Sequence, residues 1–412
     1  MQKKIAIIGC GASGMMAAIR AASLGAEVTV YEHAKPGKKI LSTGNGKCNL
    51  TNEDMKEEYF FTHTPKRLHT CLERFGKEDT KAFFRDLGMV LKEKNGYYYP
   101  LSEQASMVQQ ILLYELRRLN VNLITETVVK EIRPCTKKKQ ATKWIIMTET
   151  DQASYDSVIL ACGSKAAPKT GSDGSGYEFA KQLGHRLQPI LPSLVQLRCS
   201  DSYCKELAGI RTECCIHIVC NNKELCSEQG ELQLTDYGIS GIPVFQLSGE
   251  VNRYLYANKG AKLTAHINFL PQFEDTEWDY FINNRLTTLK NVSIERFFCG
   301  ILNQKLMNLM MKLAKLKPET IVKNVDEKKL IQVFQMCRDF TFHIECSNGF
   351  EQAQVCTGGV DLKDVTDDLE SVLAPGIYFA GEILDVDGRC GGYNLQWAWT
   401  SGYIAGEAAA VK

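Results

Sequence analysis

Lys4-Ile5-Ala6-Ile7-Ile8-Gly9-Cys10-Gly11-Ala12-Ser13-Gly14 begins a stretch that continues in helical period to about Leu24 and closes on Glu27-Val28-Thr29-Val30-Tyr31-Glu32. An apolar run short enough for a buried strand leads into G-x-G-x-x-G, and a second apolar strand ends in an acid about 20 residues further on. Gly9 permits the tight turn, Gly11 lets the backbone approach a pyrophosphate, and Gly14 lets the helix pack closely on the strand. The free N–H groups and positive dipole end of that helix face the phosphates. Glu32 accepts ribose hydroxyl protons, and its charge repels a 2′-phosphate. Strand, glycines, helix, strand and acid in this order predict a dinucleotide site.

Lys3-Lys4 followed by apolar and small residues has the look of a leader peptide. Three glycines break that apolar stretch, and the ribose acid follows at nucleotide-fold spacing, so the segment reads as mature protein. At 412 residues the chain calls for two or three domains. Its 44% hydrophobic and 24% charged residues are those of a soluble globular protein, and no apolar run has the length of a membrane span. A net charge of +1 removes any global argument for nucleic acid or an anionic membrane. Lys137-Lys138-Lys139, between two strand-like runs, reads as a solvated hairpin turn. Sixteen cysteines, none in Cys-x-x-Cys spacing, fit buried thiols in a reducing, cytoplasmic interior. Cys214-Cys215 fall in a strand-like run and point to opposite faces. Cys48, Cys162 and Cys390 lie inside glycine-rich motifs, where packing is their simplest role.

Beyond the opening unit, helical patterns occur at Pro65–Phe75, Thr80–Leu87 and Ser106–Leu119, with a turn at Tyr97-Tyr98-Tyr99-Pro100. Asn122–Ile132 and Lys143–Thr148 read as strands, and Ser157–Ala161 as a buried one. After Pro189 the texture becomes that of alternating strands. Glu274 to about Met336 is helix-rich, and Phe340–Ile344 returns to strand. Gly376–Ala380 is a buried strand, and Asn394–Ala410 a helix of small and apolar residues.

Two further stretches carry chemistry. Gly37 to Asn52 is dense in glycine, hydroxyls, amides and lysine, as an anion nest requires. Ile377-Tyr378-Phe379-Ala380-Gly381-Glu382, then Asp385-Val386-Asp387-Gly388 and Gly391-Gly392-Tyr393-Asn394-Leu395-Gln396, lead into the last helix. Its N-terminus is suited to the N1 and C2 carbonyl edge of a flavin, where negative charge gathers on reduction.

Gly37–Asn52, Thr357–Val360 and Gly376–Gly402 together closely resemble the BaiN/aminoacetone-oxidase-like family of FAD flavoproteins. Pro168–Gly184 and Thr235-Asp236-Tyr237-Gly238-Ile239-Ser240-Gly241 extend the resemblance over essentially the whole chain. It implies an α/β fold: a discontinuous, Rossmann-like FAD-binding domain of glutathione-reductase type, with an inserted β-barrel plus helical domain. The boundaries expected are 1–189 and 357–412 for the FAD domain, 190–272 and 338–356 for the β-rich insertion, and 273–337 for the helical part. The implied cofactor residues begin with Gly9, Gly11, Ser13 and Gly14 at the pyrophosphate and Glu32 at the ribose. Lys38 and Lys39 follow on the same loop, and Thr43, Gly44 and Asn49 belong to the glycine-rich run near the flavin. Val129, on a strand, contacts adenine through its backbone. Gly381 and Glu382 sit by the ribityl phosphate, and Asp387, Asn394 and Leu395 by the flavin. Thr43, Asn45 and Cys162 depart from the family pattern.

No second G-x-G-x-x-G is present. Gly171-Ser172-Asp173-Gly174-Ser175-Gly176 has the wrong order and no clear strand before it. NAD(P)H is therefore expected only as a transient electron donor, with a redox partner as the alternative. His33, His63, His69, His185, His217, His266 and His343 sit in no triad-like context and read as surface or packing residues. No catalytic acid or base emerges, and Tyr393 and Asp387 are the weak candidates for proton transfer. The resemblance implies reduction of an enone-like steroid, such as an oxo-bile-acid intermediate, with hydride transfer from the flavin to a hydrophobic small molecule. The alternatives are an oxidase of small amino ketones such as aminoacetone, a non-catalytic flavin sensor or scaffold, and a nucleic-acid-modifying flavoenzyme. Neutral charge and the lack of a basic stripe with interleaved aromatics weigh against the last.

Overall fold

The computed structural model of the chain describes residues 2–135 and 144–412; the Lys137-Lys138-Lys139 turn lies outside the described residues. The chain folds as two compact units, Met1–Ser193 with Phe350–Lys412, and Leu194–Gly349.

The first unit is built on a five-stranded parallel sheet, ordered Ile377–Phe379, Ser157–Leu160, Lys4–Ile8 (β1), Glu27–Tyr31 (β2) and Asn122–Ile124. β1 and β2 are buried at every position but the first, as parallel strands covered on both faces must be. The helix Ala12–Ser23 (α1) connects them. Against α1 lies the C-terminal helix Tyr393–Val411. Gly402 and Gly406, four residues apart and so on one face, make that approach. A Cβ on Gly402 would stand 2.4 Å from the Ser13 carbonyl oxygen, and one on Gly406 2.4 Å from that of Ala17.

Two sequence readings in this unit need correction. Asn122–Ile132 is not one strand: Asn122–Ile124 joins the parallel sheet, Glu131–Pro134 joins a separate antiparallel one, and Glu126 between them has φ +54°. Val129 thus lies in an irregular link rather than on a strand. Tyr97–Pro100 is not a turn but a strand paired with Leu91–Lys94; the turn is Asn95-Gly96, with φ +54° and +83°. That is the left-handed pair a tight hairpin demands.

The second unit holds a closed six-stranded barrel, ordered Leu197–Cys199, Gly238–Gly241, Lys223–Thr235, Arg211–Cys220, Leu263–Asn268 and Phe340–Ser347, which pairs back to the first. Period-two alternation puts Cys214, Ile216 and Ile218 in the core while Cys215 is half-exposed, so the two adjacent cysteines do face opposite ways. A 16-residue helix, Ile242–Ala257, lies within the stretch read as strands. Further helices, among them Asp275–Thr288, Gln304–Leu313 and Glu327–Arg338, extend this core with Phe297, Phe298 and Phe334. The fold is mixed α/β: a Rossmann-like domain, an antiparallel barrel and helices. Among the described residues, no helix is long and apolar enough to cross a membrane.

Candidate functional site: a dinucleotide cradle

The C-terminal end of β1 and the start of α1 form the first wall. Gly9 has φ +102°, and a Cβ there would stand 2.5 Å from the Ala161 carbonyl oxygen; one on Gly14 would stand 2.0 Å from that of Gly9. Both glycines are required by packing within the protein. Gly11 is different. Its φ is −81°, no side chain caps the helix it begins, and a Cβ there would meet nothing within 4 Å. The backbone is thus open on its Cβ side at the start of a helix that no side chain caps, the kind of helix end that suits a phosphate.

Glu32 is 8% exposed. Its Oε2 accepts the Cys10 N–H at 2.8 Å and its Oε1 that of Ala34 at 2.7 Å. A carboxylate offers about four acceptor positions, so capacity for ribose hydroxyls is left. The Glu32 carbonyl accepts the Thr127 N–H at 3.0 Å, which brings the link carrying Val129 beside the same strand end.

The C-terminal motif meets this wall directly. Gly381 has φ +82°, and a Cβ there would overlap the Ser13 hydroxyl at 2.4 Å. Ser13 Oγ donates to the Ala380 carbonyl at 3.3 Å. Glu382 Oε2 accepts from Lys39 Nζ at 2.7 Å, and its Oε1 from the Cys356 N–H at 3.3 Å. Residues 367 positions apart in the chain thus share one site.

The glycine-rich loop closes the other side. Thr43 Oγ1 donates to the Ile40 carbonyl at 2.6 Å, while Gly44 and Asn45 are left-handed at φ +55°. Thr51 Oγ1 donates to Gln396 Oε1 at 2.7 Å, Asn52 Nδ2 to the Gly391 carbonyl at 2.9 Å, and Trp399 Nε1 to the Leu50 carbonyl at 3.0 Å. Asn49 is 7% exposed, yet its Oδ1 has no partner among the described residues. A buried, unpaired acceptor is costly and marks a place for a donor from outside the chain.

Gly9, Gly11, Ser13, Gly14, Glu32, Lys39, Gly381 and Glu382 therefore come together, with Thr43, Gly44 and Asn49 on the loop fastened to the last helix. Lys38 is exposed. The Asn394 side chain closes a turn of its own backbone, since its Oδ1 accepts the Gly388 N–H at 2.9 Å and its Nδ2 donates to the Gly388 carbonyl at 2.7 Å. Leu395 packs at the edge of the sheet core. Asp387 is buried and accepts from Ser193 Oγ at 3.0 Å. Tyr393 is 6% exposed, and its hydroxyl donates to the Asp54 carbonyl at 2.9 Å. Burial pushes that phenol well above its ordinary range, so it keeps its proton near neutral pH. Burial likewise pushes the thiols of Cys48, Cys162 and Cys390 up to about 12, so they stay protonated and unreactive near neutral pH. Gly171–Gly176 follows a short turn of helix, Pro168–Thr170, and no strand leads into it.

One pair escaped sequence reasoning. His63 Nδ1 lies 2.8 Å from Oδ2 of Asp385, whose side chain is fully buried. The partners are 322 residues apart, so no local pattern announces them.

Across residues 3–408 the chain matches the HI0933-like protein Rossmann domain family. A 3-dehydro-bile acid delta(4,6)-reductase of Clostridium scindens is 40% identical over 99% of both chains. Ribosomal RNA dihydrouridine synthases of Haemophilus influenzae and Escherichia coli are 28% and 27% identical, over 96% and 97% of this chain and 96% of each of theirs. The cradle, the whole-length family match and a relative of this identity have one conclusion: the chain belongs to the HI0933-like Rossmann-domain family of flavoprotein oxidoreductases.

Proposed function

We propose that the chain binds FAD in this cradle and reduces a carbon–carbon double bond conjugated to a carbonyl in a hydrophobic, steroid-like small molecule. The observation that carries the cofactor is the open backbone at Gly11, where a Cβ would meet nothing within 4 Å, at the start of a helix with no side-chain cap and with the buried Glu32 carboxylate on the neighbouring Cys10 N–H. The unpaired Asn49 Oδ1 supports it independently. Ser13 and the α1 N-terminus would hold the pyrophosphate, Glu32 the adenosine ribose, and Lys39 with Glu382 the ribityl end. Bound and reduced, the flavin supplies a hydride. The chain's part is to seat an electrophilic carbon, exclude water and deliver a proton. Lacking a second dinucleotide fingerprint, it takes its electrons from a transient NAD(P)H or another donor.

The substrate class rests on the reductase that is 40% identical along the whole chain. A second reading comes from the dihydrouridine synthases: the double bond of uracil that becomes saturated in dihydrouridine is also conjugated to a carbonyl. The small-molecule reading leads because of the higher identity and a net charge of only +1, where an RNA enzyme gains from basic surface.

Anaerobic stopped-flow of the reduced holoenzyme separates the readings. A 3-oxo-4,6-diene steroid should reoxidise the flavin at least tenfold faster than air-level oxygen, and an unmodified ribosomal RNA fragment should not reoxidise it. Rapid reoxidation by oxygen alone, with reduction by aminoacetone, would make the protein an oxidase; reoxidation by the RNA fragment would make it a nucleic-acid enzyme.

A further inference from the structure

We infer that His63, oriented by Asp385, donates the proton in the reduction proposed above, a reading on which this inference rests. The strand Phe60–Phe61 pairs antiparallel with Asp387–Gly388, with Phe61 opposite Asp387 and Phe60 opposite Gly388. Two residues further along this register, His63 faces Asp385. Both the His63 backbone N–H, at 3.0 Å, and its ring Nδ1, at 2.8 Å, reach the same carboxylate oxygen, Oδ2. Asp385 is 0% exposed, while the His63 ring is 41% exposed. The Phe61 and His63 rings meet in a T-shaped contact, with centroids 5.2 Å apart at 82°. Nε2 has no partner among the described residues, so it is the nitrogen left to act.

His–Asp geometry alone is not distinctive here. His343 in the barrel makes a similar double contact with Asp201, its backbone N–H reaching Oδ2 at 2.7 Å and its Nδ1 reaching Oδ1 at 2.8 Å. Two observations separate the first pair from the second. Asp385 Oδ1 is buried with no hydrogen-bond partner among the described residues, an expense that packing does not explain. Asp385 also lies three residues after Glu382, whose Oε2 accepts from Lys39 Nζ at 2.7 Å in the cradle. A carboxylate on Nδ1 fixes the ring's tautomer and orientation, and so presents Nε2 for proton transfer.

In the step, the substrate takes the hydride at its β-carbon, and the double-bond pair moves to the carbonyl oxygen as an enolate. The α-carbon then takes the Nε2 proton of the His63 imidazolium, which is reprotonated from water at its exposed edge. The double bond gains two hydrogens, one as the hydride, with its electron pair, that a bound, reduced flavin would supply and one as the proton from His63. Asp385 is a positioning residue; His63 touches the reacting atoms.

The test compares wild type, His63→Ala, Asp385→Asn and, as a control, His343→Ala, all as holoenzymes reduced anaerobically. Reoxidation by the 3-oxo-4,6-diene steroid should fall roughly 100-fold or more in His63→Ala and recover in part with added imidazole. Asp385→Asn should slow it about tenfold or more, by the scale of orienting partners. His343→Ala should match wild type. Reoxidation by ferricyanide, which needs no proton delivered to carbon, should be unchanged in all four. Nitrogen-15 NMR of labelled protein provides a readout apart from turnover: the Nδ1-protonated signal of His63 should shift in Asp385→Asn. Wild-type steroid rates in His63→Ala would overturn the inference and leave the proposed function standing. Equal slowing with ferricyanide would overturn it too, by showing a disturbed site. Wild-type enzyme inert to the steroid would overturn both.

Discussion

Replacing Glu32 by Ala is expected to raise the dissociation constant for FAD by a factor of about 100 or more. The carboxylate has capacity left for two ribose hydroxyls, and charge-assisted hydrogen bonds are worth about 1.5–3 kcal/mol each; about 3 kcal/mol in all is two decades of affinity. The same substitution orphans the Cys10 and Ala34 N–H groups that Glu32 now accepts. Some loss of stability is therefore expected in the apoprotein as well, about 1–3 kcal/mol where the orphaned groups stay buried. Glu32→Gln separates the effects: it keeps one acceptor oxygen but loses the charge and turns an N–H₂ toward a donor. Flavin-fluorescence quenching on reconstitution gives the affinity, and urea unfolding of the apoproteins gives the stability. Unaltered FAD affinity in Glu32→Ala would remove Glu32 from the site.

The glycines of the fingerprint are expected to split into two kinds. Gly11→Ala should fold as well as the parent, within about 1 kcal/mol, because its φ of −81° suits any residue and its Cβ would meet nothing within 4 Å. It should nevertheless lose FAD by a factor of about 100, since the methyl group occupies the ground the pyrophosphate requires. Gly14→Ala should do the reverse. Its Cβ would stand 2.0 Å from the Gly9 carbonyl oxygen and 3.3 Å from Ala161 Cβ, so α1 must move off the sheet. Overpacking of that kind costs about 1–3 kcal/mol and occasionally more, with the flavin lost as a consequence. Denaturant midpoints of the apoproteins, set beside their flavin titrations, distinguish the two. A Gly11→Ala protein that binds FAD like wild type would show that the helix start at that glycine is not a phosphate site.

The parts of the molecule that could be read in advance are those written in consecutive residues. β1, α1, β2 and Glu32 form one continuous pattern, in which each glycine and the acid has its own physical role. The alternation of Arg211–Cys220 likewise sorted Cys214 from Cys215. What went unread depended on partners distant in the chain or on competing local signals. The helix Ile242–Ala257 contains Pro243, Gly249 and several β-branched or aromatic residues, so its propensity argued against it; a buried face with Val244, Leu247 and Val251 holds it in place. Val128-Val129 suggested a continuing strand, but the backbone turns at Glu126 so that Thr127 can bond the Glu32 carbonyl. Asn394, in the flavin motif, is engaged in closing the turn at Gly388. The His63–Asp385 pair is made by strand register across 322 residues, a relation that composition and spacing do not contain.

The most direct measurement is the absorption spectrum of the purified protein, with mass spectrometry of whatever heat or acid releases from it. A yellow protein with a band near the flavin maximum, giving up intact FAD without covalent residue, is the predicted result. A colourless protein that takes up no flavin on reconstitution, or one whose tight ligand is NAD, would contradict the account.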